Sequence, residues 1–168
     1  MDNLFKQDSK RYHSGKMPVF QKYFRKYQDS KFFLVKSIYR ILYLITKSFY
    51  NVEISPNIRI GGGLYIGHPY CITMNSQVVI GKNCNIHKGV TIGQENRGIR
   101  KGAPSIGDCV WIGVNATIVG KITIGDDVLI APNSFVNQDV PSHSVVFGNP
   151  CVIKHNDNAT EGYVNNKI

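Results

Sequence analysis

Five histidines are the side chains in this sequence best suited to moving a proton near neutral pH: His13, His68, His87, His143 and His155. Imidazole has the unperturbed pKa that lies nearest neutrality. His68 and His87 fall in the strictly repeating middle of the chain, whereas His13, His143 and His155 lie in the arm, the end coil and the tail and point to no site. An imidazole in a groove can take the proton of a hydroxyl, which is otherwise a weak nucleophile. Glu53 is a carboxylate that could orient such a base, as in any triad-like arrangement. Three cations, Arg97, Arg100 and Lys101, cluster in a glycine-rich stretch that could meet phosphates or an anionic acceptor. The four cysteines, 71, 84, 109 and 151, form no C-x-x-C pair and read as free thiols of a reducing compartment.

These groups need a scaffold, and the pattern of the chain supplies one. Aliphatic residues recur every six positions at Ile54, Ile60, Ile66 and Ile72, then at Ile80, Ile86 and Ile92, then from Ile106 through Ile112, Ile118, Ile124 and Ile130 to Val136. Two residues before most of them stands a second small or aliphatic residue, such as Val52, Leu64, Cys84, Val90, Ala116 or Val128. A helix would recur at three and four; a pair at two inside a repeat of six means very short strands, each followed by a turn. Three strands close one triangular coil, so the class is mainly β, a parallel solenoid. Counting assigns Ile54, Ile72, Ile92, Ile118 and Val136 to face a, the Ile60 series to face b and the Ile66 series to face c. The irregular step from Ile72 to Ile80 predicts a bulge at Met74 and Asn75, and that from Ile92 to Ile106 predicts a protruding loop over residues 93–105.

The Ile-Gly-x-x-x-x series resembles the hexapeptide-repeat acyltransferases, and residues 52–154 are most similar to serine acetyltransferases and related O-acetyltransferases of polysaccharide gene clusters. The resemblance implies a left-handed parallel β-helix, a hand not read from the repeat, since parallel crossovers are otherwise nearly always right-handed. It implies acetyl-CoA as acyl donor, direct transfer without a covalent enzyme intermediate, and a homotrimer with sites between adjacent solenoids. His68, at the corner after Ile66, matches the family's general base. Glu53 in Val52-Glu53-Ile54-Ser55-Pro56 matches the acid of the Val-Asp-Ile-His-Pro segment. Val114 and Pro132, stacked at the same corner with Lys88, match small residues that touch CoA; Asn115, Asn133 and Lys154 are its further candidates. His87 is a candidate for the acceptor pocket, as are the loop cations. Val146 to Lys154 resembles the segment that closes the last coil.

Two family positions differ. Gly67 stands where serine acetyltransferases have an aspartate, and Gly102-Ala103-Pro104 stands where their loop has Arg-His-Pro. A zwitterionic serine needs partners for both its charges, so the expected acceptor is a sugar hydroxyl of a capsule or exopolysaccharide precursor. Serine is the alternative. A non-catalytic binding solenoid is the alternative of another class, although such a solenoid has no need of an imidazole at a groove corner. A metal is not expected: γ-type carbonic anhydrases share this fold but need three histidines, and only His68 and His87 fall in the right region.

The formal net charge of +9 is uneven, with +8 in residues 1–50 and +1 in the rest. The basic segment is therefore an arm, residues 1–51, set before the solenoid of 52–154 and a polar tail of 155–168. No nucleic-acid motif accompanies its charge. Residues 1–17 are polar, with no signal peptide, and are expected to be loosely ordered; the protein is expected in the cytoplasm. Residues 31–50 are apolar and long enough to span a membrane but carry Lys36, Arg40 and Lys47 on one face, which argues against a span. Two roles suit them: a helix that covers the first coil and packs in the trimer, or a helix on the anionic inner face of a membrane. Because the complete repeat starts at Val52, the arm is expected to be separable from the chemistry.

Overall fold

The computed structural model describes residues 3–13 and 16–168. Three short-stranded parallel sheets form the sides of a triangular β-helix. Face b stacks Arg59–Ile60, Val79–Ile80, Ser105–Ile106 and Thr123–Ile124. Face c stacks Tyr65–Gly67, Asn85–His87, Trp111–Ile112, Val128–Ile130 and Ser144–Phe147, and ends in the antiparallel strand Val152–His155. Face a stacks Thr73–Met74, Thr91–Gly93, Thr117–Val119 and Phe135–Val136. Each strand sends alternate residues inward, as the pleat requires. Ile58, Leu64, Ile72, Ile86, Ile92, Ile112, Ile118, Ile124 and Ile130 are completely or almost completely buried as a result. The architecture is the β-helix expected from the repeat, with the left hand that the resemblance implies.

One register differs from the counting. Ile92 pairs with Met74, not with Ile72, and Glu53 bridges to Thr73. Ile72 takes the smaller inward position two residues earlier and is fully buried. The two extra residues therefore lie before Ile72, in the corner after His68, and not after it. Met74 is an inward residue rather than part of a bulge. Both Ile72 and Met74 are apolar, so the spacing alone did not distinguish the two placements.

The arm is built onto the first coil. Helix α1 (Leu4–Lys10) is capped by Asn3, whose side chain accepts from Lys6 N, and by Asp29, which accepts from Leu4 N and Phe5 N. Helices α2 (Val19–Asp29) and α3 (Phe33–Ser48) follow. The first coil would otherwise expose unpaired backbone groups, which an edge must cover. Arg25 donates to Ile60 O and Gly61 O, Gln28 to Ile58 O, Gln21 to Leu64 O, and Arg11 to Gly63 O. In return Asp8 accepts from Leu64 N and Tyr12 from Ile66 N. The cover is thus supplied mainly by α1, α2 and the residues that follow α1, contrary to the expectation that 31–50 form the lid; residues 3–13, 16 and 17 are not loose as expected of 1–17, of which residues 1, 2, 14 and 15 lie outside the described residues. Helix α3 reaches the coil through Tyr43, which is buried and donates to Ile54 O. Its outer side leaves Phe33, Leu34, Ile38, Ile41 and Ile45 exposed. Among the described residues no helix is long and apolar enough to cross a membrane.

Buried Asp8 and Arg25 pair at 2.7 Å. Burial pushes the Asp8 carboxyl upward, and the charge and hydrogen bonds of Arg25 oppose that shift. The tail also returns to the solenoid. Asn85 donates to Tyr163 O, Ile168 N donates to Asn83, and Asn166 lies 3.0 Å from His13. Arm and tail therefore meet across face c.

Candidate active site

His68 stands where the repeat is lengthened. Along the corner from face c to face a, hydrogen bonds climb from coil to coil: Gly89 N to Tyr70 O, Asn115 N to Lys88 O, and Asn133 N to Val114 O. The position before each left-handed residue is therefore Tyr70, Lys88, Val114 and Pro132. Tyr70, not His68, is in register with that ladder, which corrects the stack drawn from the sequence. The extra residues push His68 out of line, and its backbone lies in the left-handed region at φ 52°. Its side chain is exposed.

A cleft of about 560 Å³ opens beside it. Solenoid residues Tyr65, Gly67, His68 and His87 line it, together with arm residues Tyr12, His13 and Lys16. Among the described residues no aspartate or glutamate lines it. The arm's part in this cleft, and His13 with it, was missed in the sequence. The signal was absent because Tyr12, His13 and Lys16 lie outside the repeat and reach the cleft only through the fold of α1 and α2.

His87 is half-buried rather than a solvated surface group. Its Nδ1 lies 2.9 Å from Ile112 O, and its ring packs on Trp111 at 4.7 Å between centroids. The carbonyl can only accept, so Nδ1 carries a proton. Burial first, then the neighbouring His68, lower the pKa of His87, and the hydrogen bond to Ile112 opposes them. With the proton on Nδ1, Nε2 is the acceptor of the neutral ring.

Other expected members lie elsewhere. Glu53 lines a separate shallow cleft with Lys47, Ser48 and Asn51, and among the described residues no hydrogen bond joins it to His68. The orienting pair is therefore not formed within this arrangement. The loop after face a folds on itself, with Glu95 paired to Lys101 and Gly102, and Arg100 donates to Asn137 O. Arg97, Arg100 and Lys101 do not line the His68 cleft of their own chain, because the loop leaves from the opposite end of the face-a strand. Asn115 and Asn133 hold left-handed corners at φ 58° and 59°, a conformation asparagine tolerates well. Val114 is half-buried beside them and Pro132 is exposed. Lys154 lies on the last strand of face c, over the ring of Phe147. Among the described residues no group of three or more His, Cys, Asp or Glu side chains could hold a metal ion.

Residues 103–138 match the family model described as bacterial transferase hexapeptide (six repeats). A serine acetyltransferase of Staphylococcus aureus is 35% identical over 136 residues, 81% of this chain and 62% of the relative. The chain thus spans about three fifths of the length of such relatives. The Neisseria gonorrhoeae serine acetyltransferase in complex with serine superposes with a TM-score of 0.70 at 29% identity, over 89% of this chain and 67% of that one. A serine acetyltransferase in complex with CoA gives 0.63 at 27% identity, over 81% and 54%. Residues 103–138 therefore carry hexapeptide transferase repeats, and the chain is serine acetyltransferase-like in sequence and in fold.

Proposed function

We propose that the protein transfers an acetyl group from acetyl-CoA to a hydroxyl, with His68 as general base. The observation that carries this reading is the exposed imidazole of His68, lifted from the corner ladder at the mouth of a cleft. His68 takes the hydroxyl proton as the oxygen attacks the thioester carbonyl. The tetrahedral adduct then collapses, the carbon–sulfur bond breaks, and the same proton passes to the departing thiolate. Val114, Asn115, Pro132 and Asn133 line the corner proposed for the pantetheine arm, with Lys154 toward the phosphates. The similarity to a relative solved with CoA supports this donor.

The relatives named serine acetyltransferase support serine as the acceptor. A sugar hydroxyl is the second reading. It is favoured by Gly67, by the lack, among the described residues of the cleft, of a carboxylate for an ammonium group, and by the tyrosines that line it. We propose the homotrimer as the working form, with α3 free to pack on a neighbour or on an anionic membrane. Release of CoA thiol, followed with serine and then with nucleotide sugars and polysaccharide fragments, tests the activity. No release above hydrolysis with any hydroxyl compound would refute it.

A further inference from the structure

The cleft beside His68 is walled partly by the arm, and the arm brings charge. We infer that Lys16 and His13 hold an anionic group of the acceptor, so that the acceptor is a hydroxyl compound carrying a carboxylate or a phosphate. This rests on the transferase reading of the same cleft and assigns its polarity.

Four observations converge. The segment after α1 is fastened to face c: Tyr12 accepts from Ile66 N at 2.8 Å and donates to Gln21 at 2.7 Å, and Arg11 reaches Gly63 O and Asn85 at 2.6 Å each. His13 and Lys16 follow this anchor and line the cleft with His68 and His87. Arg11 is not available to a ligand, because it is buried, both its terminal nitrogens are engaged and its Nε is inaccessible. Lys16 is exposed and, among the described residues, in no ion pair. The loop cations are directed elsewhere, so Lys16 is the fixed positive charge left facing the cleft.

His13 complements it. The Asn166 amide nitrogen lies 3.0 Å from His13 Nε2 and can only donate. Neutral His13 therefore carries its proton on Nδ1 and has that N–H to offer. With no aspartate or glutamate on the lining among the described residues, the field in the cleft favours an anion and disfavours an acceptor whose only charge is an ammonium. A carboxylate held by Lys16 and His13 would anchor a hydroxyl compound at the mouth where His68 stands. Serine and a sugar acid share this chemistry.

Matched pairs of probes test it on the full chain: glucuronate against glucose, glucose 1-phosphate against glucose, and serine against serine methyl ester. CoA release should be faster with the charged member of at least one pair, and the identity of that pair separates a sugar from an amino acid. Lys16→Ala should raise KM for that acceptor about ten- to hundredfold, the usual cost of a hydrogen bond to a charged group. It should leave kcat and the KM for acetyl-CoA nearly unchanged, and Lys16→Arg should retain most of the affinity. His13→Gln should raise the same KM less. Equal use of charged and uncharged members, or a fall in kcat without a change in KM, would overturn the assignment. Binding is read separately by titrating the probes against the histidine proton resonances. Charge-selective shifts that Lys16→Ala abolishes, with no CoA released, would sink the transferase reading and keep the anion site. CoA release indifferent to charge would do the reverse. Neither binding nor release would overturn both.

Discussion

Gly67 lies flat against the imidazole of His87: a Cβ placed on Gly67 would come 2.7 Å from His87 Cδ2 and 2.9 Å from Nε2. His87 cannot easily retreat, because Ile112 O holds its Nδ1 and Trp111 backs its ring. The departure at residue 67 and the histidine one coil above it are therefore a single feature. The aspartate found at this place in the acetyltransferases it resembles has no room here.

Gly67→Asp should accordingly destabilise the protein by about 1–3 kcal/mol, the range for overpacking a close contact, and should not improve use of serine. Gly67→Asp combined with His87→Ala should recover much of the loss, since the second change removes the ring that the first one meets. Melting temperatures of the two variants and the wild type decide this. A Gly67→Asp protein as stable as the wild type would show that His87 moves aside freely.

His68→Ala should leave the fold intact, because the side chain is exposed. Turnover should fall by roughly 10²–10⁴, the range for losing a general base. Glu53→Gln should cost markedly less, since Glu53 makes no hydrogen bond to His68 among the described residues. Near-normal CoA release from a folded His68→Ala protein would remove His68 from the mechanism, and a Glu53 effect as large as that of His68 would mean that the two act as a unit.

The sequence revealed the solenoid because a core of identical turns repeats its spacing: Ile86, Ile112 and Ile130 stack on one face, and each is six or eighteen residues from a partner of like kind. It also revealed the corner of His68 and the unusual Gly67. It could not place the two extra residues, because Ile72 and Met74 are both apolar and each completes a plausible register. Nor could it show the arm in the cleft. Tyr12, His13 and Lys16 follow no period, and their position depends on Asp8, Gln21 and Arg25 meeting one another in the fold.

The lowered pKa of His87 sets a pH dependence of stability. Its folded pKa lies below the ordinary value of about 6.5 that it regains on unfolding. The unfolded chain therefore binds the proton first, and stability should fall as pH drops below about 6.5 toward the folded value. The loss should be small, because the ring is only partly buried. His87→Gln should flatten this part of the melting-temperature profile below about pH 6.5. A profile with the same slope in the variant would assign the effect to other groups.

The arm should prove inseparable from the solenoid, against the expectation drawn from the repeat alone. Arg25 uses all of its donors: Nε and Nη2 on Asp8, Nη1 on Ile60 O and Gln28, and Nη2 also on Gly61 O. Arg25→Ala would leave the buried Asp8 carboxylate without its counter-charge, held only by Leu64 N and Gln21, and would take the arginine donors from two first-coil carbonyls. Breaking a buried pair on one side costs about 3–5 kcal/mol. Replacing both partners by apolar residues, Asp8→Leu with Arg25→Met, should cost less than Arg25→Ala, because no charge is then stranded, although the carbonyls stay unpaired. A chain beginning at Lys47 loses all of these contacts at once, and with them Tyr12, His13 and Lys16 from the cleft. It should lose cooperative thermal unfolding and aggregate through the first coil. Chemical denaturation of the point variants and circular dichroism of the shortened chain measure this. A soluble, cooperatively folded chain from Lys47 with unchanged acceptor KM would show that the arm neither covers the first coil nor serves the cleft.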